Sequence, residues 1–144
     1  MKKYKIGYTQ GTFDMFHVGH LNIINNAKKQ CDTLIVGVNS DKLVEDYKNK
    51  KTIINENDRA RIVESIKGVD KAIIADTLDK VVAYKNLSFD AIFIGDDWKG
   101  NPRWEQTKKD LSEYGVDVVF LPHTDGISST IIRERISEKN EETK

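Results

Sequence analysis

A single α/β domain, with a five-stranded parallel sheet and helices on both faces, is the fold this 144-residue sequence predicts. Two observations carry the prediction. Five short runs rich in Ile and Val alternate with segments of helical periodicity, and strand–helix alternation along one chain closes most simply as a parallel sheet with right-handed crossovers. The second and fourth runs carry little polar interruption, as strands covered on both faces should. The length suits one domain with one sizeable core.

The first strand is expected over residues 4–9, followed by Gly11-Thr12-Phe13-Asp14-Met15-Phe16-His17-Val18-Gly19-His20. Leu21, Ile24 and Ala27 then recur at helical spacing within an expected helix over 18–30. A strand over 33–38 leads through a polar linker to a helix over 57–67, for which Asn55-Glu56-Asn57-Asp58 supplies caps and early negative charge. Strands over 71–75, 91–94 and 117–121 alternate with helices over 78–86, 103–114 and 127–138, and Gly115 marks the end of the fourth helix. The domain occupies residues 1–136; residues 137–144 are charged, lack apolar periodicity and are expected to fray.

Lys plus Arg and Asp plus Glu number 23 each, so nothing favours bulk attraction to nucleic acid or to a membrane surface. Cys31 stands alone, which excludes an internal disulfide and fits a reducing cytoplasm. The basic start is followed by no apolar core of a signal peptide, and no run approaches the ~20 apolar residues of a membrane span.

Four blocks carry chemistry. In the first, a helix starts directly after a strand and a glycine, so its unpaired N–H groups and positive dipole end favour a phosphate. Gly19 clears the approach, and His17 and His20, three apart, share one helical face on which both can bond the same anion. Zinc would need further ligands that no His or Cys cluster supplies, and neither a dinucleotide fingerprint nor a Walker loop is present. The second block, Lys48-Asn49-Lys50-Lys51-Thr52, is either a solvated loop or an arm placing ammonium groups on phosphates; Arg59 in the next helix reads as an ordinary surface charge. The third, Gly95-Asp96-Asp97-Trp98, puts two carboxylates at a strand end, where they can bind Mg²⁺ or accept hydrogen bonds. The fourth, His123-Thr124-Asp125-Gly126-Ile127-Ser128-Ser129-Thr130, offers three consecutive hydroxyls at a helix start, a richer supply than one cap demands.

The first block, G-T-F-D-x-x-H-x-G-H, resembles the signature of the nucleotidyltransferase superfamily, which joins a nucleoside monophosphate to a phosphate-bearing acceptor. The third resembles the G-D-D-W of bacterial glycerol-3-phosphate cytidylyltransferases, and the fourth the R-T-E-G-I-S-T-T of cytidylyltransferases; the resemblance runs from about Tyr4 to Ile136. It implies a homodimeric Rossmann-like enzyme that makes CDP-glycerol and pyrophosphate from CTP and glycerol 3-phosphate, with Mg²⁺ carried on the CTP phosphates and no metal ligands on the protein. Thr12, Phe13, His17, Val18, Gly19 and His20 would then contact CTP, with Lys50 on its phosphates. His123, Thr124, Asp125, Gly126, Ile127, Ser128, Ser129 and Thr130 would hold the nucleotide, and Asp97 would help place the nucleotide or the metal. Lys48 and Lys80 match acceptor-phosphate positions, while His17, His20, Lys50 and His123 would be the catalytic set. His123 and Lys67 stand where the family has arginines, so the missing charge is expected from Lys99 or Arg103, or from a different arrangement. Other acceptors (a polyol phosphate, phosphocholine, phosphoethanolamine) and an ATP-using adenylyltransferase are the alternatives; Val36 to Asp41 resembles some of the latter equally well.

Overall fold

The computed structural model describes residues 2–142. Its strands β1 (Tyr4–Gly11), β2 (Cys31–Asn39), β3 (Lys71–Ala75), β4 (Ala91–Gly95) and β5 (Asp117–Leu121) form one sheet in the order β3-β2-β1-β4-β5, every pairing parallel. The expected α/β domain is therefore present, and its sheet order reverses between β1 and β4. The C-terminal edge beside such a reversal is where α/β sheets bind ligands.

Helices cover both faces. On one, α1 (Val18–Lys28) and α3 (Glu56–Glu64) bury Ile24, Ala27 and Val63 against Leu34, Val36, Val38, Ala91 and Phe93. On the other, α4 (Lys80–Leu87) and α5 (Pro102–Ser112) bury Ala83, Trp104 and Leu111 against Tyr8, Ile35, Phe89 and Ile92. A short 3-10 helix, Asp96–Trp98, follows β4, and α6 (Ser129–Glu142) follows β5. No helix among the described residues is long and apolar enough to cross a membrane.

Three differences from the sequence reading have physical causes. Asp41–Lys48 is a helix, α2, where a polar linker is expected: Ser40 Oγ caps it by accepting from Leu43 N at 3.1 Å, and Asn49 ends it in the left-handed region at φ 54. Its single buried residue, Val44, gives too short an apolar stripe to register as a period. The last helix runs to Glu142 rather than 138, and residues 143–144 of the expected tail lie outside the described residues.

Arg59 is the third, and it corrects the surface-charge reading. Its side chain is 0 % exposed, the largest fully buried one among the described residues. The guanidinium donates to the carbonyls of Ile54 (2.8 Å), Thr12 (2.7 Å) and Asn39 (2.7 Å), and pairs with Asp41 Oδ1 at 2.5 Å. It thus fastens the exits of β1 and β2 to the loop before α3, satisfying carbonyls that a buried turn would leave unpaired. Arg59→Met is expected to destabilise the fold by about 3–5 kcal/mol, since it strips the partners of one buried and two half-buried carbonyls and leaves Asp41 without its cation. Urea unfolding measures this, and an unchanged midpoint would contradict the role given to the guanidinium.

Candidate active site

The C-terminal ends of β1, β2 and β4 open into a cavity of about 740 Å³, within the usual range for small-molecule sites. The starts of α1 and α6, the end of α2, the start of α4 and one face of α5 all contribute to its wall.

At the start of α1, His17 is the N-cap: its Nδ1 accepts from Gly19 N at 3.1 Å, while His17 N donates to His20 Nδ1 at 3.2 Å. The two rings stack with centroids 3.8 Å apart. Because both Nδ1 atoms accept, both neutral rings carry their proton on Nε2. Burial lowers the pKa of His17, and burial, helped by His17 and Lys48 against Asp14, pushes His20 down to about 3. The pair therefore acts near neutrality as two oriented N–H dipoles rather than two cations. Gly19 has a reason besides phosphate access, since a Cβ there would lie 2.9 Å from His17 Cε1.

The turn between β1 and α1 is pinned by Asp14, which is 2 % exposed. Its carboxylate accepts from Ile53 N (2.8 Å), Ile54 N (2.9 Å) and Arg133 in α6 (2.6 Å). Burial alone would raise its pKa, but these donors outweigh it and hold the carboxyl below its ordinary 3.8. The Asp14 carbonyl also accepts from Ser129 Oγ at 2.6 Å. One residue so joins the first helix opening, the basic loop after α2 and the last helix.

That geometry revises the hydroxyl nest. Ser128 Oγ caps α6 by accepting from Ile131 N at 3.1 Å and Ser129 tethers Asp14, which leaves Thr130 with an uncommitted hydroxyl among the described residues. His123 lines the cavity, yet its Nδ1 is bonded to Asp96 and its Nε2 lies 2.9 Å from Asp125 Oδ1. The bond to Asp96, reinforced by Asp125 and Asp97, raises the imidazole's pKa, so any positive charge on His123 is met by acid neighbours first. Asp96, Asp97 and His123 bring one ligand atom each within 4.8 Å of one another. Two exposed carboxylates, completed by substrate phosphates and waters, are a donor set Mg²⁺ commonly uses, although Asp96 is here bonded to the imidazole.

Lys48, Lys50 and Lys80 all reach the cavity, Lys48 within 3.5 Å of Thr12 Oγ1. Of the residues expected at the site, Thr12, Phe13, His17, Gly19, His20, Lys48, Lys50, Lys80, Asp97 and the whole of 123–130 line one wall or another. Val18 does not, and is 53 % exposed. Sequence reasoning passed over Asp14 as a ligand hub and missed Arg133, which pairs with it across 119 positions; the Arg within a turn of the Ser-Ser-Thr block was the available signal.

Two buried side-chain nitrogens among the described residues have no hydrogen-bond partner, His17 Nε2 and Arg133 Nε. Both are N–H donors and both residues face this cavity. Buried donors left unpaired are costly, and pairing either one with a ligand oxygen needs a local shift, because neither nitrogen has surface open to solvent.

Parallel topology with a polar cavity at the sheet's reversal defines the class, a Rossmann-like α/β domain. A family model described as Cytidylyltransferase-like matches residues 8–135, and the chain belongs to that nucleotidyltransferase family. It is similar to the glycerol-3-phosphate cytidylyltransferase of Bacillus spizizenii, 37% identical over 127 residues, 88% of this chain and 92% of that protein. It is also 37% identical over 133 residues to the bifunctional protein HldE of Hyphomonas neptunium, covering 91% of this chain but only 27% of that protein's length. Among solved structures, the lipopolysaccharide core biosynthesis protein from Thermoplasma volcanium superposes with a TM-score of 0.74 at 27% identity, over 85% of this chain and 99% of that one.

Two outcomes are expected of this geometry. Gly19→Ala should cost about 0.5–2 kcal/mol of stability, because the new methyl displaces the His17 ring that caps α1, and should weaken nucleotide binding for the same reason. Titration of nucleotide alongside thermal melting checks both halves. For pH, His20 stays neutral in the fold down to about 3 but takes up a proton near 6.5 when unfolded. Its contribution is therefore intact above 6.5 and is lost as pH falls through that window; the lowered Asp14 carboxyl adds to the loss below 3.8. Melting temperatures between pH 7 and 4.5 should fall, and fall less steeply in His20→Asn.

Proposed function

We propose that the chain transfers CMP from CTP to a small phosphate-bearing acceptor, glycerol 3-phosphate foremost, giving CDP-glycerol and pyrophosphate. What supports this is the pair of unpaired N–H donors, His17 Nε2 and Arg133 Nε, on one cavity at the sheet's reversal. The likeness to the Bacillus enzyme over nearly its full length supports the nucleotide and the acceptor.

In this reading the acceptor's phosphate oxygen attacks the α-phosphorus of CTP, and pyrophosphate leaves with the electron pair of the broken bond. A phosphomonoester with a second pKa near ~6 is already mostly a dianion at pH 7, so no general base is required. The barrier the protein can lower is repulsion between two anions. His17 and His20 offer Nε2–H dipoles to the α-phosphate, and Lys50 with Thr130 and the start of α6 holds the departing pyrophosphate. Dipoles fixed by packing stabilise developing charge without reorganising at the moment of reaction. Mg²⁺ arrives on the triphosphate.

A second reading, adenylyl transfer from ATP to a sugar phosphate, is favoured by the likeness to a lipopolysaccharide core biosynthesis protein, since such cores are built of sugars. CTP and ATP, each offered with glycerol 3-phosphate, ribitol 5-phosphate, phosphocholine, phosphoethanolamine and a sugar phosphate, separate the two by pyrophosphate release and product mass. Turnover with ATP alone would overturn the cytidylyl reading. His17→Ala and His20→Ala should each lower kcat at least ~100-fold while leaving the fold intact by circular dichroism, the loss of one preorganised donor being typically ~2.7–4 kcal/mol.

A further inference from the structure

The cavity holds a second cationic region, on the opposite side of the sheet from α1. Lys80 begins α4, is 8 % exposed, donates from Nζ to the Leu78 carbonyl at 2.7 Å and sits 5.4 Å over the Trp104 ring. Arg103, the residue before that tryptophan, lines the same cavity, as does Thr107 one turn later, so the opening turns of α5 face inward. The Arg103 guanidinium has no hydrogen bond or ion pair among the described residues, and it repels the Lys80 ammonium. Asp79, the acid whose charge acts on the Lys80 ammonium, is committed to capping α4 through Val81 N (2.9 Å) and Val82 N (3.2 Å).

We propose that Arg103 is a specificity-determining residue that clamps the phosphate of the acceptor together with Lys80, over the face of Trp104. The buried Lys80 ammonium is repelled by the exposed Arg103 guanidinium on the same cavity, a repulsion that a dianion accepting from both would relieve. Burial and then Arg103 push the Lys80 pKa down to about 8, so the ammonium is still mostly charged at pH 7 and a bound dianion would hold it so. The unpaired donors of α1 and α6 lie across the cavity, and two separate anion-holding regions are what two phosphorylated substrates need. The ligand class is a small phosphomonoester: a planar guanidinium meets two phosphate oxygens side by side, which a carboxylate-free polyol cannot supply. This inference rests on the transfer reaction proposed above.

The test compares wild type, Arg103→Gln and Arg103→Lys by pyrophosphate release with CTP and glycerol 3-phosphate. Arg103→Gln should raise the acceptor KM about ten- to a hundredfold, as loss of a charged hydrogen-bond partner does, while the CTP KM stays within about twofold. Arg103→Lys should recover part of the loss, because it restores the charge without the fork. An unchanged acceptor KM, or a parallel rise in the CTP KM, would overturn the assignment. If wild type turns over no phosphorylated acceptor, the transfer reading fails by itself. Equilibrium dialysis of inorganic phosphate then decides the clamp: binding lost in Arg103→Gln supports it, and equal binding in both proteins overturns it.

Discussion

A buried carboxylate, Asp14, is the constraint on which the site depends. The residues on either side of it, Phe13 and Met15, are held at positive φ (55 and 50), a conformation that costs non-glycine residues about 1–3 kcal/mol each. Such a turn persists only if its surroundings over-determine it. Two backbone amides and one guanidinium on the carboxylate, with a serine hydroxyl on its carbonyl, do so. Their donors come from the loop after α2 and from α6, so the turn that positions His17 is inseparable from the segments that position Lys50 and Thr130. Arg59 acts in parallel one layer deeper, fixing the Thr12 and Asn39 carbonyls at the strand exits.

Charge is distributed in the cavity by the same logic. Its floor holds neutral donors: the imidazoles are kept uncharged by burial and aimed by their capping bonds. Its walls hold lysines on flexible stems. Cations packed against the α1 helix start would repel one another and its dipole, whereas N–H dipoles add to that field. His123 belongs to neither group, because Asp96 and Asp125 occupy it.

Much of the fold was legible because Ile- and Val-rich runs alternating with helical stripes have few other solutions. β3 and β5 start and end where the pattern places them, and β1, β2 and β4 gain only terminal residues. What was hidden depends on long-range pairing. Nothing local marks Arg59 as buried, since two of its partners lie at the exit of β1 and the end of β2. The Ser128-Ser129-Thr130 run stands out in the sequence for its excess of hydroxyls, and the structure divides two of them between a cap and a tether. Gly19 was read for ligand access alone, while the structure also requires it for the His17 ring.

The most direct measurement is a crystal structure of the chain with a CTP analogue that cannot release pyrophosphate. The triphosphate should lie between the starts of α1 and α6, with α-phosphate oxygens accepting from His17 Nε2 and His20 Nε2 and an oxygen on Arg133 Nε. A triphosphate bound elsewhere, or one at this place with both imidazoles turned away from it, would contradict the site described.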